Sequence, residues 1–576
     1  MLRLRALVLL AGLTSPLACA SIYGVTTLPS DDGTDASTDA TGDGRTKPKP
    51  DGSSKPDASH EGGHDAKTDT RDRDAGDGST GHDASDGSAS DSGPDTGQAF
   101  FASVTPSPIT VVQSTSVNLT VNLASPAASD IQVTLSALPS GVTAPPITIG
   151  AGSTSGILTL TASASATEGL ATATIASGAA SKSVDVVVAG ASGTLDLSFN
   201  QSGVQNITPS GGTATSNASF VVVQSDDSIL IGGSDTGWHI VRLLPDGSPD
   251  TAFNANVIDN TTGAPLPANG TLGGIAVIPG TGLIVLAGLD SDTSEIELGV
   301  LLLNADGTRH QSVGSGGLYE RGPDMGFHVA TVGGVAVNAA GTIAVDGNTT
   351  TGAYLVTLSG TNNGTFAETN SFPAGVQIQG LVYEPNGDLV VGGDTTSEGG
   401  QLFVARFTSG LTGEGFVDGG VLGPPTTPSS SDQYLMTTQI VADPAGDIFI
   451  VGADEASDTT PAMSFVTNSG EWTLPNGYAD PGPYDMGGNG YAGVASAGGG
   501  LAVVIGDGEN QSGAHAFIAR ITSAGVLDTT FASGGVLATP VSETEVQYGA
   551  VALDSLGRIV VVGNGDLGYY ATRIWP

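Results

Sequence analysis

A chain of 576 residues with 86 Gly, 31 Pro and only 13% charged residues has room for more than one domain, and its composition suits turns and strands better than long helices. Its 58 acidic side chains against 17 basic ones, a net charge of −41, would repel a phosphate backbone and argue against nucleic acid as a partner. The single cysteine, Cys19, excludes an intramolecular disulfide and any Cys-based zinc site.

Residues 1–18 read as an export signal, with Arg3 and Arg5 ahead of an apolar run from Ala6 to Leu13 that is too short to span a bilayer. Pro16-Leu17-Ala18-Cys19 follows and resembles a bacterial lipobox, although Pro16 stands where Leu is usual. That resemblance implies lipidation at Cys19, and Ala20 after it implies an outer-membrane address, facing the surface or the periplasm. A signal peptide cut near Ala18 or Ala20, with Cys19 a bystander, is the alternative.

Residues 19–98 are rich in Asp, Gly, Ser, Thr, Lys and Pro and too poor in apolar side chains to offset the entropy of ordering, so a disordered acidic tether is expected. His60-Glu61-Gly62-Gly63-His64 matches the H-E-x-x-H pattern of zinc proteases, but paired glycines and the absence of an amphipathic period leave no helix to carry it. Asp69 to Gly78 has the acidic spacing of a calcium loop without the bidentate Glu of an EF-hand, so calcium enters only as a weak ligand.

Between residues 99 and 190 apolar runs alternate with period two, among them Val117-Asn118-Leu119-Thr120-Val121 and Ile157-Leu158-Thr159-Leu160, predicting a small β-sandwich. The stretch from Leu138 to Thr143, followed by Gly150 to Ser153, resembles bacterial immunoglobulin-like modules. A spacer lifting the next domain outward is the simplest role for it.

Residues 191–576 repeat. Seven hairpin units, opening at Phe220, Gly274, Gly334, Gly380, Ile440, Ala492 and Ala550, each run strand, tight turn, strand, glycine. The closing glycines are read as Gly232, Gly288, Gly347, Gly392, Gly452, Gly506 and Gly563, about 45 to 60 residues apart, the length of one propeller blade. A third apolar run follows, as at Ala516-Phe517-Ile518-Ala519-Arg520. Gly525-Val526-Leu527-Asp528-Thr529-Thr530-Phe531 and the turns at Asp246 and Asp306 make the pattern similar to the delta-60 repeat family of bacterial surface proteins. The third and fifth units depart from it most.

The last unit reaches Arg573 without the Asp-Thr-Thr-Phe element, which stands instead at the start as Leu195-Asp196-Leu197-Ser198-Phe199. The fold expected is therefore all-β, a seven-bladed propeller whose final blade is completed by the N-terminal strand. A linear β-solenoid is the runner-up.

Candidate chemistry is sparse. His239, His310, His328 and His515 are scattered singly, and Asp394, Asp454 and Asp507 with Asn348 and Asn564 recur after the hairpin glycines, where turn formation or a ring of carboxylates binding calcium would explain them. No catalytic residue and no cofactor is nominated. The reading is a monomeric, non-enzymatic surface lipoprotein binding a surface protein or a polysaccharide. A propeller glycan hydrolase or lyase and an envelope scaffold stay open.

Overall fold

The structure is a computed structural model that describes residues 100–576 apart from connecting stretches, the longer of them at 208–216, 254–265, 409–420, 423–434 and 468–490. Cys19, the stalk and its two motifs lie outside the described residues. Every described element is a strand, and no described helix is long and apolar enough to cross a membrane.

The first region is two sheets on one apolar core. One sheet orders Phe101–Thr105, Ser116–Leu123, Ser155–Ala162 and Val142–Thr143; the other orders Ile109–Val112, Ala180–Ala189, Gly169–Ser177, Ile131–Ser136 and Ile147–Ile149. The period-two pattern does what it implies: Leu119, Val121, Leu158 and Leu160 point inward and are fully buried, while Asn118, Thr120 and Thr159 alternate outward.

From residue 204 onward the described strands form seven antiparallel sheets of three or four strands. The first strands are Asn217–Val223, Leu272–Val277, Val329–Val337, Val376–Tyr383, Leu435–Ala442, Tyr491–Gly498 and Gln547–Leu553. Each lies against the first strand of the next sheet, and Gln547–Leu553 lies against Asn217–Val223. A linear solenoid has no such contact between its ends. The third sheet has a short fourth strand, Ala367–Thr369, despite its divergent sequence, and the fifth has three among the described residues.

The second strands read as unbroken apolar runs because both of their faces are covered. Ile229 and Ile231 pack toward the seventh sheet, in a core shared with Val560, Val562 and Tyr569. Leu230, between them, packs toward the second sheet with Ile284 and Leu286. The same division holds for each neighbouring pair of sheets, and each buried Ile, Leu or Val contributes about 1.5–3 kcal/mol.

The start and the end of the repeat region meet in the seventh sheet. Its order is Val204–Ile207, Gly568–Ile574, Ile559–Gly565, Gln547–Leu553, so the strand that follows the N-terminal Asp196-to-Phe199 element pairs antiparallel with the last strand, Gln205 opposite Ala571. The expectation of an N-terminal strand completing the final sheet is met.

Candidate functional site

Three sets of residues recur from sheet to sheet, and the pairing register shows what each of them does. The first is the hairpin glycine. Its Cα partner is His239, Tyr354, Phe403, Phe517 or Tyr570 at Gly233, Gly347, Gly393, Gly506 and Gly563. A Cβ on Gly563 would stand 2.9 Å from the Tyr570 hydroxyl and closer still to Gln547 O, and one on Gly393 would stand 2.7 Å from Phe403 Cε1 and closer still to Gln377 O, so glycine makes room both for the first strand's carbonyl and for an aromatic ring on the third strand. In the first and fourth sheets the equivalent residue is thus Gly233 and Gly393, one beyond the Gly232 and Gly392 read from the sequence.

The second set is the polar residue after that glycine. Asn348 Oδ1 accepts the Ile378 N–H at 3.1 Å while its Nδ2 donates to Ile378 O at 3.1 Å. Asn564 Oδ1 accepts the Ala218 N–H at 2.9 Å, and Ser234 Oγ accepts the Leu272 N–H at 2.7 Å. Ile378, Ala218 and Leu272 all lie on the first strand of the following sheet. The position is therefore a clamp between sheets, which corrects the reading of Asn348 and Asn564 as turn formers. Asp394 stands at the same position and is buried. Asp454 is one residue past it, since Ala453 takes the equivalent pairing, and the side chains of Asp454 and Asp507 lie outside the described residues.

The third set is an Arg–Asp–Phe staple that ties the third strand to the loop after it. Arg242 Nε donates to Asp250 Oδ2 at 2.7 Å and lies 4.5 Å from the Phe253 ring centroid; Arg520 donates to Asp528 at 2.8 Å and lies 5.3 Å from that of Phe531. The Thr530 hydroxyl, with Arg520 adding, holds the Asp528 carboxyl below its ordinary value. In the seventh sheet the staple joins the start and the end of the repeat region: Arg573 Nε donates to Asp196 Oδ2 at 2.8 Å and stacks over Phe199 at 4.8 Å. Arg558 joins it, donating to Asp196 at 3.0 Å and to Asp554 at 2.6 Å, and all four charged groups are buried. In the second sheet Leu302, His310 and Val313 replace the three residues. The His310 N–H still donates to Leu302 O at 2.9 Å, as Asp250 N–H does to Arg242 O, and the His310 ring turns to Asn304.

Two other histidines have local contacts. His239 is buried and stacks on Tyr569 with ring centroids 5.6 Å apart. His328 accepts the Thr350 N–H through its main-chain oxygen, and the His515 side chain lies outside the described residues. Among the described residues no group of three or more His, Cys, Asp or Glu is placed to hold a metal ion.

One charged group escaped the sequence reading. The first strand of every sheet carries an extra, bulged residue at the same place: Ser219, Gly273, Gly333, Gln379, Thr438, Ala492 and Gly549. Behind the Gly333 bulge sits Asp346, fully buried, with neither oxygen hydrogen-bonded. A Cβ on Gly333 would lie 2.9 Å from Asp346 Oδ1 and 3.1 Å from Ile378 O, which places the carboxyl in the seam between the third and fourth sheets. Burial pushes its pKa well above 3.8, although its own N–H and that of Gly334 favour the charged form, and it presses the Tyr354 hydroxyl upward in addition to that group's own burial. Gly232, Ala287, Gly392, Val451, Ile505 and Val562 hold the same position elsewhere, so only alignment of the repeats could have marked Asp346 as unusual.

Residues 224–253 match a family model described as a domain of unknown function (DUF5122) β-propeller, a segment that contains Gly233, Arg242, Asp250 and Phe253. No curated protein matches the sequence. Among solved structures, hydrazine synthase of Kuenenia stuttgartiensis is similar at 12% identity over 64% of this chain and 99% of that chain, with a TM-score of 0.40. A polysaccharide lyase, an ulvan lyase, is similar at 11% identity over 63% and 95%, with a TM-score of 0.41. A protein from Lactobacillus plantarum is similar at 14% identity over 56% and 88%, with a TM-score of 0.34. The class is an all-β protein containing a β-propeller.

Proposed function

We propose that this chain is an exported lipoprotein, anchored through Cys19, that displays a seven-bladed propeller of delta-60-like repeats as a binding module for a surface protein or polysaccharide. Residues 99–190 are read as an immunoglobulin-like module and residues 191–576 as the propeller. The observation that carries the reading is the use made of the recurring polar residues. Asn348, Asn564 and Ser234 hold sheet to sheet, and Arg242, Arg520 and Arg573 hold strand to loop, so the repeats spend their polar chemistry on rigidity. A rigid platform on a tether presents a fixed surface at little entropic cost on binding.

Two measurements test this. Replacing Cys19 with Ser should move the protein from the membrane to the soluble fraction, and retention would overturn the anchor. Thermal unfolding with envelope polysaccharides should show stabilisation by one of them, about 2.7 kcal/mol at 100 times its Kd. Depolymerisation of that polysaccharide would instead show an enzyme.

A further inference from the structure

The two-sheet region and the propeller are joined by more than the chain between them, and the contacts fall on the sheet where the ring closes. Glu168, at the start of the strand Gly169–Ser177, accepts two hydrogen bonds on its Oε2: from the Leu197 N–H at 2.9 Å and from the Trp575 indole N–H at 3.0 Å. Leu197 belongs to the N-terminal element and Trp575 follows the last strand. One carboxylate oxygen therefore holds both halves of the seam that makes the ring.

Around that oxygen the fit is close. Trp575 is buried with Val187 and Ala189 of the two-sheet region and with Leu556 from the first hairpin turn of the seventh sheet. The Gly193 N–H donates to Trp575 O at 2.9 Å and the Trp575 N–H to Thr194 O at 2.9 Å, extending the pairing of the start and the end of the repeat region. A Cβ on Gly190 would stand 2.6 Å from Trp575 Cδ1, and one on Gly169 would stand 3.1 Å from Ser198 Cβ. At Gly190 a larger residue would force Trp575 or Thr194 to shift, and at Gly169 the φ of +118° itself favours glycine. The strand Ala180–Ala189 ends only a few residues before Thr194, so the connection between the two regions is short.

We propose that the two-sheet region is a clamp that binds the closing sheet through Glu168 and Trp575 and keeps the N-terminal strand in register, so that loosening this dock opens the ring at its seam. The physical reason lies in how the seam is held. Six of the sheets are built from consecutive chain, whereas the seventh recruits Val204–Ile207 from the far end and pays the entropy of closing a loop of several hundred residues. Contacts that restrict the N-terminal strand before it pairs reduce that cost. The spacer role expected from the sequence does not require any of these contacts.

Hydrogen exchange on the full-length mature protein tests the clamp. Glu168→Ala should speed exchange of peptides covering 204–207 and 568–574 by about tenfold, as expected when the half-buried acceptor of a buried indole N–H is lost, with the second-sheet strands at 284–303 unchanged. Glu168→Gln keeps an oxygen that can accept the indole N–H and should restore most of the protection. Gly190→Val, which forces the dock apart sterically, should act in the same direction and more strongly. Unchanged exchange at the seam in Glu168→Ala would overturn the clamp. Faster exchange spread evenly over all sheets would overturn it as well, because it would show general destabilisation.

Discussion

In the seventh sheet Asp196, Asp554, Arg558 and Arg573 are all buried and all paired, whereas in the third sheet Asp346 is buried as completely with no hydrogen bond to either oxygen. The two sheets share strand order, although the charged groups occupy different places in them, and the comparison sets paired charges against a lone one. In the seventh sheet the paired charges tie the start of the repeat region to its end. Where a carboxyl has no charged partner, the nearby N–H groups of Asp346 and Gly334 do not offset its desolvation, and its pKa is raised.

The largest effect should come from breaking the paired side. Asp196→Ala leaves Arg558 and Arg573 buried without their shared acceptor and should cost about 3–5 kcal/mol in denaturant unfolding. Relieving the lone side should act in the opposite sense: Asp346→Val, matching Val451 and Val562 in other sheets, should stabilise the protein at neutral pH by about 1–3 kcal/mol.

The pH dependence of that gain has a definite sign. Asp346 has a folded pKa raised above the ordinary 3.8, so its contribution is intact below that value and is lost as the pH rises toward the folded pKa. Wild type and Asp346→Val should therefore differ least near pH 4 and increasingly above it, measured as Tm against pH. A constant difference would show that the carboxyl is satisfied in a way the contacts do not reveal.

Smaller effects sharpen the contrast. Asn348→Ala, beside Asp346 in the same seam, strands the Ile378 N–H and should cost about 1–2 kcal/mol. Arg520→Ala removes a staple whose partners both keep some solvent, and should cost about 1 kcal/mol.

Much of this was legible in the sequence, for local reasons. The apolar runs and their glycine-marked turns repeat because every sheet meets the same two neighbours, and the displaced Asp196-to-Phe199 element could be matched to Arg573 by its place in the repeat. What stayed hidden was relational. Gly233 and Gly232 are indistinguishable until the ring of His239 fixes the register, and Asn348 looks like a turn residue until Ile378 is placed beside it. The dock of Glu168 on Trp575 joins residues 407 apart in the chain, and no periodicity points to it. Asp346 was invisible because a carboxyl inside a strand carries no local sign of its burial.

The central claim is that the two ends of the propeller close the ring in one sheet, with Gln205 facing Ala571. Cysteines at these two positions in a Cys19→Ser background test it directly, since directly paired strand positions lie within disulfide reach. The account predicts rapid, quantitative cross-linking of the native protein, a compacted band on non-reducing electrophoresis and stabilisation of about 5 kcal/mol from so long a closed loop. Native protein that keeps both thiols free under oxidation would contradict closure by the N-terminal strand.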